Sequence, residues 1–134
     1  MTAAASTLHD VARDAMSRAY APYSGFRVGA ALATADGTVF PGCNVENSSF
    51  PAGTCAERVA LGSAVAAGHR NFARIVIATE AEVPTPPCGI CRQALTEFAP
   101  SLDIVSITTA GAEAHWSLSD LLPHPFTPQS LHHL

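Results

Sequence analysis

Apolar residues recur at helical spacing from about Thr7 to Ala19, where Leu8, Val11, Ala12, Ala15, Met16 and Ala19 share one face. This pattern predicts an amphipathic helix, broken by Pro22 and Gly25. Val28 to Ala33 is apolar throughout, Asp36-Gly37 is a two-residue hairpin signal, and Val39-Phe40 resumes the run, so two antiparallel strands are expected. Cys55 to Ala67, rich in Ala and Leu with Gly68 just beyond, reads as a second helix with a glycine stop. Ala73 to Thr79 is a continuous, largely β-branched run, the pattern of a central strand covered on both faces. Gly89 to Phe98 has helical composition, Ile104 to Thr108 reads as a fourth strand, and Gly111 turns the chain toward a short fifth strand near Ala114-His115-Trp116. These elements predict an α/β fold, a three-layer α/β/α sandwich around a mixed, roughly five-stranded sheet.

Composition narrows the function classes. With 134 residues and 48% hydrophobic content, residues 1–134 are expected to form a single domain with one core. The start, Met1 to Ser6, has no basic stretch followed by an apolar one, and no run approaches about 18 apolar residues, so a cytoplasmic protein with no membrane partner is expected. A net charge of −4 offers no broad basic surface for a phosphate backbone, which argues against nucleic acid as partner and favours a small molecule. Four cysteines in a reducing compartment point to metal rather than to a disulfide framework.

The cysteines fall in two informative segments, Thr54-Cys55-Ala56-Glu57-Arg58 and Pro87-Cys88-Gly89-Ile90-Cys91-Arg92-Gln93. In both, thiols sit at the start of an expected helix, where free amide groups and the positive helix end favour thiolates. Cys55, Cys88 and Cys91 make a three-ligand set for one zinc ion, leaving the fourth tetrahedral position for water, as catalytic sites do. Glu57, two residues past Cys55, is suited to take a proton from that water and pass it on. Three thiolates against one dication leave a net negative complex, and Arg58, three residues from Cys55 on the same helix, can donate to thiolate sulfur and offset it. The competing reading is a structural zinc knuckle with Cys43 as fourth ligand and Glu57 as a solvated carboxylate at a helix start.

Together these segments resemble the zinc-dependent cytidine deaminases, specifically the short, homotetrameric nucleoside type, whose signature pairs Cys or His before x-Glu with a later Pro-Cys-x-x-Cys. The likeness extends to Pro22 through Leu32, to Gly42-Cys43-Asn44-Val45-Glu46-Asn47 and to Leu121-Leu122-Pro123-His124-Pro125-Phe126. It implies a deaminase of pyrimidine salvage with one zinc per subunit, acting on cytidine and 2′-deoxycytidine. Water activated by the zinc would attack carbon 4 of cytosine while Glu57 protonates ring nitrogen 3 and assists loss of ammonia. It also implies that Asn44 and Glu46 hold the ribose hydroxyls, that Phe26 packs against the nucleoside, and that backbone at Ala56 and near Pro87 meets the cytosine edge. Phe126 would reach from a neighbouring subunit of a homotetramer to stack on the base, or pack on its own domain. Phe50 stands where many relatives have tyrosine, and Ile90 replaces a small residue between the two zinc cysteines, where it is expected to narrow the pocket or shift a contact.

Two readings compete with this one: a deaminase of another cytosine nucleoside such as blasticidin S, and a zinc-stabilised interaction module without chemistry. Editing of single-stranded nucleic acid would need a cationic groove with stacking aromatics, which the acidic balance disfavours. The six histidines, His9, His69, His115, His124, His132 and His133, lie at no spacing matched to the cysteines and read as solvated surface groups.

Overall fold

The β-branched run after Asn71 becomes the middle strand of the sheet. In a computed structural model that describes residues 5–132, β1 (Val28–Thr34), β2 (Val39–Cys43), β3 (Phe72–Thr79), β4 (Asp103–Thr108) and β5 (Glu113–Ser117) form one sheet in the order β2-β1-β3-β4-β5. All neighbours are antiparallel except β3 and β4, which run parallel through α3 (Gly89–Thr96). The sheet is therefore mixed and five-stranded, as expected.

Alternation along β3 divides the core between two faces. Ile75 and Ile77 pack with Ala60 and Ala64 of α2 (Ala56–Ala66) and with Leu95 of α3, whereas Val76 and Ala78 pack with Leu8, Ala12 and Met16 of α1 (Ala5–Ser17). Helices thus cover both faces, with α1 alone on one side. Two glycines permit this close layering: a Cβ on Gly29 would stand 1.9 Å from the Ala12 carbonyl oxygen, and one on Gly42 would stand 2.3 Å from that of Ala56. Two short helices, α4 (Leu118–Leu121) and α5 (Pro128–Leu131), follow β5. Among the described residues no helix is long and apolar enough to cross a membrane.

Three expectations shift. The β1–β2 connection closes around Ala35-Asp36-Gly37 rather than Asp36-Gly37 alone: Thr34 N–H donates to the Thr38 carbonyl at 2.8 Å, and Gly37 takes the left-handed φ of 92°. That is the three-residue hairpin whose last residue must be left-handed. Helix α1 stops at Ser17 because Arg18 and Ala19 tighten to bonds three residues back and Tyr20 N–H turns to the Asn44 carbonyl. Similarly, α3 stops at Thr96, and Phe98 N–H bonds three residues back to Leu95.

Candidate active site

Strand register gathers the two cysteine segments at one end of the sheet. Gly29 pairs with Cys43 on one side and Ala78 on the other, and Val28 pairs with Thr79, so the last residues of β2 and β3 flank the first of β1. The chain leaving β2 enters α2 at Ala56, and the chain leaving β3 enters α3 at Gly89. Cys55 and Cys88 are the N-cap residues of these helices, both extended and neither spending its side chain on a capping hydrogen bond. Their sulfurs, with that of Cys91 in the first turn of α3, lie within 4.8 Å of one another. Cys43 is not part of the cluster.

The spacing suits zinc. Thiolates about 2.3 Å from a tetrahedral ion stand about 3.8 Å from each other, and Cys55 Sγ lies 3.8 Å from Cys88 Sγ. The electrostatics also call for a cation. Burial pushes the Cys91 thiol up, and the negative charge of Glu57 and the neighbouring sulfurs adds to it. The Cys55 thiol is raised chiefly by burial, against an opposing hydrogen bond from Arg58. Burial also acts upward on Cys88, but the Cys91 backbone N–H and the Cys91 and Cys55 side chains outweigh it and leave that thiol lowered. Arg58 Nη2 donates to Cys55 Sγ at 3.9 Å, and among the described residues its buried Nε has no partner, leaving another donor suited to thiolate sulfur. Cys55, Cys88 and Cys91 therefore fit a zinc ion.

Glu57 is only 5% exposed, and burial holds its carboxyl above the usual carboxylate range. It lines a cavity of about 250 Å³ together with Cys55, Cys88, Ala56, Phe26, Asn44 and Glu46, so seven of the expected site residues share one space. Ser24, Val28, Ile77, Thr85 and Pro86 complete its walls. A larger cavity nearby, about 370 Å³, shares Ser24 and Glu46 but is lined by none of the cysteines; the metal chemistry belongs to the smaller one. Sequence reasoning assigned no role to the residues that hold the loop between β3 and α3. Ser106 Oγ donates to the Thr85 carbonyl at 2.8 Å, while Arg92 Nε donates to that of Pro87 at 2.7 Å and its Nη1 to that of Leu121 at 3.1 Å. The adjacency of Arg92 to Cys91 was the only signal, and its partners become apparent only once the chain is folded.

Residues 2–107 match the family model for the cytidine and deoxycytidylate deaminase zinc-binding region. The chain belongs to the cytidine and deoxycytidylate deaminase family. Similar proteins include the cytidine deaminase of Sporosarcina psychrophila, 40% identical over 120 residues that cover 89% of this chain and 88% of the relative. That of Halalkalibacterium halodurans is 41% identical over 84% of this chain and 86% of its own. Among solved structures, the cytidine deaminase of Burkholderia pseudomallei superposes with a TM-score of 0.89 at 48% identity, covering 92% of this chain and 100% of that one.

In this deaminase the residues assigned to the sugar are already engaged. Asn44 is buried; its Oδ1 accepts from Val28 N–H and its Nδ2 donates to the Phe26 carbonyl, both at 2.8 Å. Glu46 Oε1 accepts from the N–H groups of Tyr23 and Ser24 at 3.0 Å, and Oε2 accepts a very short bond from Ser24 Oγ. Those bonds, the Ser24 hydroxyl first, hold the Glu46 carboxyl below its ordinary range.

Phe126 lies outside the cavity lining and is 57% exposed, while the Gln93 amide clamps its backbone by bonds of 2.7 and 3.2 Å. The tail thus packs on its own domain through main chain and turns the ring outward. Ile90 is 65% exposed and also outside the lining, so it does not narrow this cavity. Phe50 is exposed and meets Tyr23 edge-on, ring centres 5.9 Å apart. The histidines depart from expectation in part. His9 on α1 bonds the Glu113 carboxylate at 2.8 Å and His69 packs on Phe40, because the fold brings these half-buried rings beside partners far away in sequence, whereas the exposed His115 bonds Glu113 two residues back on its own strand at 2.6 Å. His133 falls outside the described residues.

Proposed function

We propose that the chain is a single-domain cytidine deaminase of pyrimidine salvage, hydrolysing cytidine and 2′-deoxycytidine to uridine and 2′-deoxyuridine with release of ammonia. The observation that carries this reading is the cavity of about 250 Å³ that a buried Glu57 shares with Cys55 and Cys88. A zinc ion held by Cys55, Cys88 and Cys91, one per subunit, supplies the Lewis acidity that lets water act as a nucleophile near neutral pH. Glu57 carries protons: it takes one from the water and gives it to ring nitrogen 3 as oxygen adds at carbon 4, then takes the second proton of that oxygen and delivers it to the departing amino group as the carbon–nitrogen bond breaks. Its raised carboxyl supports that role, because a group that holds a proton more readily can both accept and return one.

Arg58 donates to cysteine sulfur and offsets the charge of three thiolates. Phe26 packs against the nucleoside, backbone at Ala56 meets the cytosine edge, and Asn44 and Glu46 recognise sugar hydroxyls. Phe126 supports a shared site: an exposed ring on a clamped backbone suits stacking in a neighbouring subunit of a homotetramer. The enzyme would work in the cytoplasm.

The fall in ultraviolet absorbance on adding cytidine tests this reading, measured beside Glu57→Gln. The wild type should turn over, and the variant should keep its zinc while losing roughly 10²–10⁴-fold in kcat. A wild type fully loaded with zinc that leaves cytidine unchanged would overturn the reading.

A further inference from the structure

Glu46 is a carboxylate with about four acceptor positions, and the loop before β1 fills three of them. Tyr23 N–H and Ser24 N–H both donate to Oε1, and Ser24 Oγ donates to Oε2. The same hydroxyl accepts from Phe26 N–H at 3.0 Å. One serine oxygen therefore links two of the residues assigned to the nucleoside, Glu46 through its carboxylate and Phe26 through its backbone. The loop can double back this tightly because Gly25, between Ser24 and Phe26, takes a left-handed φ of 68° and donates its N–H to the Ala21 carbonyl at 2.9 Å. Ser24 itself lines the cavity that Glu57, Cys55 and Cys88 also line.

We infer that Ser24 is a positioning residue for sugar recognition: its hydroxyl fixes the Glu46 carboxylate in the cavity so that one acceptor position on Oε2 is left for a hydroxyl of the nucleoside sugar. This rests on the deaminase reading above. The geometry gives the reason. An unanchored glutamate on a partly exposed loop samples several rotamers, and a sugar hydroxyl would have to select one of them on binding. With Oε1 filled by two backbone donors and Oε2 half filled by Ser24, the rotamer is set beforehand. The remaining lone pair accepts a hydroxyl proton, and an analogue without that hydroxyl leaves it unpaired. If the serine only closed the turn through Phe26 N–H, its loss would act on every substrate alike.

Turnover of cytidine and of 2′,3′-dideoxycytidine, compared across variants of the zinc-loaded enzyme, separates these cases. Ser24→Ala should raise KM for cytidine about tenfold, the usual effect of losing a hydrogen bond to a charged group, with kcat little changed. Its preference for cytidine over the dideoxy analogue should shrink by a similar factor. Ser24→Thr, which keeps the hydroxyl, should restore both. Ser24→Cys, close in size and only a weak donor, should fall between them and serves if the alanine variant is unstable. In a Glu46→Gln background the Ser24→Ala change should remove no further preference. An unaltered preference in Ser24→Ala and Ser24→Cys, in an enzyme that does discriminate, would overturn the role of Ser24 alone. A wild type that turns over cytidine without any preference would overturn it too. A wild type that deaminates neither nucleoside would overturn the deaminase reading and this inference with it.

Discussion

At the cysteine centre, the metal-binding groups sit at or next to a helix start; across the same cavity, Asn44 and Glu46 come from irregular chain held by hydrogen bonds to the start of β1 and to the loop before it. The first arrangement is rigid because α2 and α3 are packed on the sheet through Ala60, Ala64 and Leu95, all nearly inaccessible to solvent. The second is set by hydrogen bonds instead of packing: Asn44 bonds the backbone of Val28 and Phe26, and Glu46 bonds Tyr23 and Ser24. Groups that need fixed ligand distances are placed on secondary structure, while the residues proposed to recognise the sugar are placed on the chain between elements.

Cys91→Ser should produce the largest effect. Cys91 is fully buried with its sulfur beside the other two, and a zinc site reduced to two thiols should lose its metal and all measurable deamination, as metal analysis and assay of the same sample would show. Retained zinc with full activity would break the contrast.

An intermediate effect is expected from Gly42→Ala, which touches no ligand. The added methyl would lie 2.3 Å from the Ala56 carbonyl oxygen and 2.5 Å from Ala60 N, so the start of α2 must shift, carrying Cys55 and Glu57 with it. Overpacking of this kind costs about 1–3 kcal/mol, and a displacement near 1 Å can cost about 100-fold in rate. A lower unfolding midpoint together with lower kcat checks it; lower stability with normal kcat would show that α2 tolerates movement.

Asp36→Ala, at the β1–β2 turn, should have the smallest effect. The Thr34 hydroxyl, with the N–H and hydroxyl of Thr38, holds the Asp36 carboxyl at about 2, below its ordinary 3.8. A lowered carboxyl contributes stability above its unfolded value and loses it as pH falls through the folded one. Wild type should therefore melt slightly above the variant at pH 7, with the gap closing as pH falls from about 4 toward 2, while deamination stays unchanged. A gap independent of pH would assign the effect to the turn backbone instead.

Legibility followed the same division. The zinc ligands and Glu57 could be read because Cys-x-Glu and Cys-x-x-Cys fix geometry locally, within one turn of helix. The middle position of β3 was legible for a similar reason, since an apolar run without alternation must be covered on both faces. Ser24, Thr85 and Arg92 carried no such signal. Their partners are Glu46, Ser106, Pro87 and Leu121, most of them many residues away, and no local pattern encodes those pairings. The pairing of His9 with Glu113 was hidden in the same way.

By itself the sequence determined the α/β elements and marked Cys55, Cys88 and Cys91 as candidate zinc ligands and Glu57 as candidate proton carrier, because hydrophobic period, Cys-x-Glu and Cys-x-x-Cys are local spacings. Tertiary structure alone decided that the ends of β2 and β3 meet at the start of β1, bringing two helix starts to one point. It also decided that Glu57 is buried enough to raise its carboxyl, and that Glu46 is held by a loop before β1. Register and burial depend on contacts between distant segments, and those exist only after the chain has folded.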